Sequence, residues 1–158
     1  MLEVTLMTDR RRVLFLCTGN SCRSQMGEGF LRELGGKGYE VHSAGSEPAE
    51  CVHPLAIKAM AEVGIDISAH VPKDLGVYDE ESFDLVITVC GGAKQSCPIF
   101  LGANANVHWD LEDPAGAEGS EEERTAFFRE IRDEIRRRVE HLVETGEALN
   151  DDGESVRL

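Results

Sequence analysis

Basic residues are scarce in this chain. Sixteen lysines and arginines face 30 aspartates and glutamates, for a net charge of −14. That balance argues against nucleic acid or an anionic membrane surface as a partner. It also means that the field of the whole chain repels an anionic ligand, so any anion site must be built locally. Long apolar runs are lacking too, and none approaches the ~20 residues of a membrane-spanning helix. Only four apolar residues separate Arg10-Arg11-Arg12 from Cys17, too few for an export signal. The five cysteines, at 17, 22, 51, 90 and 97, form no CxxC pair, which counts against a structural zinc site. An odd number of thiols without an export signal points to a reducing cytoplasm. No Gly-Lys-Ser/Thr is present, so a Walker phosphate loop is excluded. There is no internal repeat and no sign of a second domain. The 158 residues suffice for one domain with a real core.

What is present centres on residues 13–24, VLFLCTGNSCRS. The run Val13-Leu14-Phe15-Leu16, closed by small residues, reads as a buried strand of a parallel sheet. Met26, Phe30, Leu31 and Leu34 then recur at helical spacing. Cys17 therefore ends a strand and Arg23 opens a helix, with Thr18, Gly19, Asn20, Ser21 and Cys22 curling between them. Gly19 and Asn20 tolerate left-handed backbone angles. Such a loop turns successive N–H groups inward, and the helix start adds its positive end. The expected product is a cup for a tetrahedral oxyanion, formed by residues 18–24. Cys17 lies at its base, where such donors favour a nucleophilic thiolate, and Arg23 at its rim.

Along the rest of the chain, strands alternate with helices. Residues 1–11 read as a ragged lead-in and 12–145 as the folded domain. Residues 146–158 read as a polar, mobile tail. Within the domain the expected elements are a helix over 24–34, a strand over 40–45 and a helix from Pro54 to Gly64. A strand over 82–90 follows, then a short one over 106–109. Ser120 and Glu123 form a capping box for a long helix whose stripe includes Phe127, Ile131, Ile135 and Leu142. The fold class is α/β: a four-stranded parallel sheet with helices on both faces. Reactive groups in such sheets collect at the carboxyl ends of the strands. Cys17, Cys90 and Asp113 should therefore converge on one edge.

Cys90 and Cys97 flank a short loop holding two glycines, so their sulfurs can approach. A disulfide made at the anion site could then pass outward by thiol–disulfide exchange. Asp113, before Pro114, suits a general acid for a leaving oxygen. Cys22 reads as packing and Cys51 as an incidental loop thiol. The histidines at 42, 53, 70 and 108 read as structural, and the single tryptophan, Trp109, as core.

Taken together, CTGNSCRSQMGEGF, SAGSEP, SFDLVITVC, the Cys90-x6-Cys97 pair and HWDLEDPAG resemble the thioredoxin-coupled arsenate reductases. That family shares the low-molecular-weight protein tyrosine phosphatase fold. The resemblance spans roughly residues 12–145. It implies that Cys17 attacks arsenate, helped by Arg23 and Asp113. Cys90 then attacks the arsenylated sulfur, releasing arsenite, and Cys97 takes over the disulfide for thioredoxin to reduce. Phosphate or sulfate would compete with arsenate. No organic cofactor is implied. Some members hold a potassium ion beside the loop, and Asn20, Glu28 and Ser43 match part of that site. Val71 and Lys73 stand where such members carry a hydroxyl and a carboxylate. An ammonium from Lys73 can fill that space, so no metal is expected. Ala115 after Pro114 replaces the aromatic that frames aryl phosphates in the phosphatases, which leaves at most weak phosphatase activity.

The sequence thus reads as a cytoplasmic arsenate reductase serving arsenic detoxification, monomeric by size. Two alternatives stand beside it: a phosphatase of phosphotyrosine or small phosphoesters, and a non-catalytic thiol redox sensor.

Overall fold

Four apolar residues in succession leave no solvent-facing side, and Val13, Leu14, Phe15 and Leu16 are all fully buried. They form the middle of β1 (Arg11–Cys17), an inner strand of the sheet. The structure, a computed structural model, describes residues 10–90, 100–151 and 154–158. β2 (Tyr39–Gly45), β3 (Phe83–Cys90) and β4 (Ala103–Asp110) complete a wholly parallel sheet of order β2-β1-β3-β4. β1 begins at Arg11, because Arg12 is fastened at that end. Its amide donates to Asp84, its guanidinium pairs with Glu40 and Glu81, and it lies over the Phe83 ring. β4 begins at Ala103, earlier than expected. Its first half carries small and polar residues such as Asn104 and Asn106, which hide an edge strand from any search for apolar runs.

The three α-helices among the described residues are α1 (Arg23–Gly35), α2 (Pro54–Ala61) and α3 (Glu121–Thr145). Pro54 opens α2, with His53 as its N-cap. Ser120 and Glu123 form the capping box of α3, three glutamates occupy its first turn, and Gly146 closes it at φ 73°. Among the described residues a 3-10 helix lies on one face of the sheet, and these three pack on the other. Their apolar stripes meet Val13, Phe15, Leu85, Ile87, Val107 and Trp109 there. The opposite face, with Leu14, Leu16 and Val86, is covered by Tyr78 on a 3-10 turn (Leu75–Tyr78) and by Phe100.

Residues 146–158 hold more than a polar tail. β5 (Glu147–Leu149) and β6 (Ser155–Arg157) pair antiparallel, and Ala148 is fully buried. Trp109 donates its indole N–H to Leu149 O, while the amides of His108 and Asp110 donate to Asn150 and Asp151. The hairpin thus satisfies donors on the outer edge of β4, which would otherwise invite another strand. Three-residue strands carry no readable period, so this element escapes sequence reading.

The helix layer approaches the sheet closely at Gly27. A Cβ there would lie 2.6 Å from the Phe15 ring, and that ring is held edge-on against Trp109 at 6.0 Å. Gly27→Ala should therefore destabilise the protein by roughly 1–3 kcal/mol of overpacking, less about 1 kcal/mol gained in helix propensity. Gly38→Ala, with nothing within 4 Å, should be near neutral. Urea unfolding of the two variants checks this.

Candidate active site

The anion loop, residues 17–23, is shaped from outside. The carbonyls of Thr18, Gly19 and Ser21 accept from the amides of Glu47, Ala49 and His53. In a trans peptide the C=O and N–H point opposite ways. Pulling those three oxygens outward therefore turns the N–H groups of Gly19, Asn20 and Cys22 inward. The Asn20 amide indeed donates to Cys17 Sγ at 3.2 Å. Asn20 itself is the one non-glycine residue at positive φ (50°) among the described residues, a conformation that Asn tolerates. Gly45 makes the close approach possible, since a Cβ there would sit 2.4 Å from Thr18 O.

Cys17 is buried at the base of the loop. Its Sγ lies 2.8 Å from Ser24 Oγ. Ser24 Oγ accepts from Asn20 Nδ2 at 2.7 Å, which leaves its own hydrogen to point at the sulfur. Asn20 Oδ1 is fixed in turn by the Lys73 amide and by Gln25 Nε2. Gln25 Oε1 faces His70 Nδ1 at 2.9 Å. Cys22, five residues from Cys17, has a different character. Burial pushes its thiol up to about 12, so it stays protonated and belongs to the core.

Arg23 is 1% exposed. Its Nη1 donates to Leu111 O at 2.9 Å, and its Nη2 lies 3.6 Å from Asp113 Oδ2. Asp113 is partly exposed, and its other oxygen accepts from the Ala115 amide at 3.0 Å. Cys90, buried, ends β3. β1 and β3 are neighbours in a register that sets Leu16 beside Thr88, so Cys17 and Cys90 terminate adjacent strands. The structure thus gathers Cys17, Arg23, Cys90 and Asp113 at one sheet edge. Cys97 lies outside the described residues.

Several contributors carry no motif. The segment 47–53 acts through backbone amides, which sequence does not mark. Leu111 acts through its carbonyl. Glu28, 4% exposed, is ringed by Arg32 at 2.8 Å, His70 at 3.7 Å and Lys73 at 3.9 Å, and it accepts from Ser43 Oγ. His53 also supports the loop: its amide holds Ser21 O, its Nδ1 accepts from Leu55 N, and its ring packs on Phe128.

Comparison with known proteins supplies the context. Residues 12–155 match the family described as low molecular weight phosphotyrosine protein phosphatase. An arsenate reductase of Halalkalibacterium halodurans is 46% identical over 138 residues, covering 87% of this chain and 99% of that protein. The arsenate reductase of Bacillus subtilis (strain 168) gives the same identity and coverage. Among solved structures, an arsenate reductase in the phosphate binding state aligns with TM-score 0.72 and 37% identity, covering 85% of this chain and 97% of that one. A thioredoxin-dependent arsenate reductase of Corynebacterium glutamicum aligns with TM-score 0.67 and 32% identity, over 90% of this chain and 65% of that one.

His53 gives the site a testable pH dependence. Burial, and then Arg124, hold its pKa below the ordinary 6.5, with Asp113 opposing. The neutral ring is the form that caps α2. Its contribution to stability is therefore complete above 6.5 and is lost as pH falls through the lowered folded value. His70, lowered mainly by burial, adds to the same slope. His53→Asn keeps a capping oxygen and should flatten part of the stability loss between pH 7 and 5.5, as read by urea unfolding at each pH.

Proposed function

The chain belongs to the low-molecular-weight phosphotyrosine protein phosphatase family, and from that premise we propose that it is a thioredoxin-dependent arsenate reductase. The observation that carries the reading is a second cysteine, Cys90, ending the strand beside the one that ends at Cys17. Phosphoester hydrolysis needs the loop, the arginine and the acid; it has no use for another thiol at that edge. The arsenate reductase relatives from two bacteria, at 46% identity over nearly their whole length, support the same substrate.

In this mechanism inward N–H groups and Arg23 bind arsenate. Cys17 Sγ attacks arsenic, an As–O bond breaks, and the departing oxygen leaves as water with a proton from Asp113. Cys90 Sγ then attacks Cys17 Sγ. The S–As bond breaks and its electron pair stays on arsenic, which leaves as arsenite. Two thiols have become one Cys17–Cys90 disulfide, and As(V) has become As(III). Cys97 attacks Cys90, which frees Cys17 and leaves a Cys90–Cys97 disulfide. Thioredoxin returns both thiols by dithiol exchange. Phosphate and sulfate compete for the same cup. The enzyme works in the cytoplasm, where a thioredoxin pool keeps thiols reduced, and it acts as a monomer. None of the described helices is long and apolar enough to cross a membrane.

No metal ion takes part. The oxygens that match a potassium site in some relatives are engaged by the chain's own donors. Asn20 Oδ1 accepts from Lys73 N and Gln25, and Glu28 pairs with Arg32 and faces the Lys73 ammonium. A further cation at Glu28 would meet positive charge. Thermal unfolding should therefore be equal in potassium and sodium chloride. A bound ion at 100 times its Kd would add about 2.7 kcal/mol, and a potassium-specific rise of several degrees would count against this assignment.

The experiment that tests the function is NADPH consumption with arsenate, thioredoxin and thioredoxin reductase. Wild type should turn over only with arsenate, and Cys97→Ser should fall to background. Turnover retained in Cys97→Ser points to a small-thiol donor. Hydrolysis of p-nitrophenyl phosphate without arsenate-dependent turnover points to a phosphatase.

A further inference from the structure

Leu111 carries a bond at each end that nothing in its own side chain requires. Its N–H donates to Cys90 O at 3.1 Å, and its carbonyl accepts from Arg23 Nη1 at 2.9 Å. The residue is buried, and it follows Asp110, whose pairing with Cys90 is the last rung of the β3–β4 ladder. Two residues later comes Asp113, which faces Arg23 Nη2. Cys90, Leu111, Arg23 and Asp113 thus form one string in which each member is held by the next.

We propose that Leu111 is a positioning residue that couples the redox state of Cys90 to the grip of Arg23 on the oxyanion. The proposal rests on the three-cysteine relay of the preceding section. Cys90 is 1% exposed, and thioredoxin cannot reach a sulfur so enclosed. For thioredoxin to attack at Cys90, the end of β3 must leave its rung. The Leu111 N–H then loses its acceptor, and the carbonyl that orients the guanidinium shifts with it. Arg23 is enclosed at 1% exposure, so water does not readily replace that acceptor, and the guanidinium re-aims. The anion cup is weakened while the disulfide exists and is rebuilt when the thiols return. Oxyanion is released before thioredoxin docks, and the oxidised enzyme is not clogged by phosphate. Linkage requires the reverse effect of equal size: bound oxyanion makes the disulfide easier to reduce.

Inorganic phosphate is the probe, titrated calorimetrically into Cys17→Ser protein. One sample is reduced. The other is oxidised with diamide, which takes two hydrogens from Cys90 and Cys97 as their disulfide forms. Peptide mass mapping identifies the bond. Oxidation should weaken phosphate binding by a factor in the ordinary range of coupling, about 5–150-fold. With Arg23→Lys added, which has no planar fork to orient, the oxidised-to-reduced ratio should fall to near one. Leu111→Pro lacks the N–H, and in its reduced form it should bind phosphate as weakly as the oxidised parent; if it does not fold, Arg23→Lys carries the test. Equal affinities in the two redox states overturn the coupling alone, as does an unchanged ratio in Arg23→Lys. Absence of a Cys90–Cys97 disulfide overturns the relay and the coupling together.

Discussion

The outward capture of three carbonyls governs this molecule. Thr18 O, Gly19 O and Ser21 O are drawn away by the amides of Glu47, Ala49 and His53, and planarity of the peptide turns the intervening N–H groups toward the sulfur. Everything nearby serves that inversion. Gly45 leaves room for Thr18 O, Asn20 takes the left-handed turn, and the buried run Val13–Leu16 of β1 gives the loop a packed base. The segment 46–53 is mostly exposed and without regular structure, yet it decides whether the cup exists. Its own anchor is α2, started by Pro54 and capped by His53.

Electrostatics poses the opposite problem. A chain with a net charge of −14 must hold a multiply charged anion, and its overall field works against that. The answer is short-ranged and enclosed. A nearly solvent-free Arg23 and oriented amides act where the effective dielectric is low. Two of the carboxylates near the loop are matched by positive charge, Asp113 by Arg23 being the first. Glu28, the buried carboxylate behind the loop, is matched by Arg32, Lys73 and His70. Glu62, the C-cap of α2, is held well below the usual carboxylate range, at about 2, mainly by its bond to Arg129 of α3. Of the three glutamates in the first turn of α3, Glu123 closes its capping box.

Much of the fold is legible because its signals are local. The apolar run of β1, the capping box of α3 and the apolar run of β3 each mark an element without help from the rest of the chain. Elements stabilised by distant partners are not legible in this way. β4 alternates small and polar residues and becomes a strand because β3 lies beside it. β5 and β6 exist because the edge of β4 and the Trp109 indole need partners. The face opposite the three described α-helices is closed by Tyr78 and Phe100, which no pattern near them announces.

The same division runs through the site. The sequence by itself determined the reactive inventory: a cysteine at a strand end, an arginine at a helix start, an Asp-Pro in the last loop and a second cysteine at the end of another strand. Those follow from residue chemistry and from spacing along one segment. Only the tertiary structure decided how they are aimed. Loop carbonyls face outward because the amides of 47–53 meet them, Ser24 faces the sulfur because Asn20 holds it, and Arg23 is tied to Cys90 through the backbone of Leu111. Backbone donors and acceptors are the same in every residue, so a sequence cannot mark which of them will meet; their pairing is set when distant segments come together.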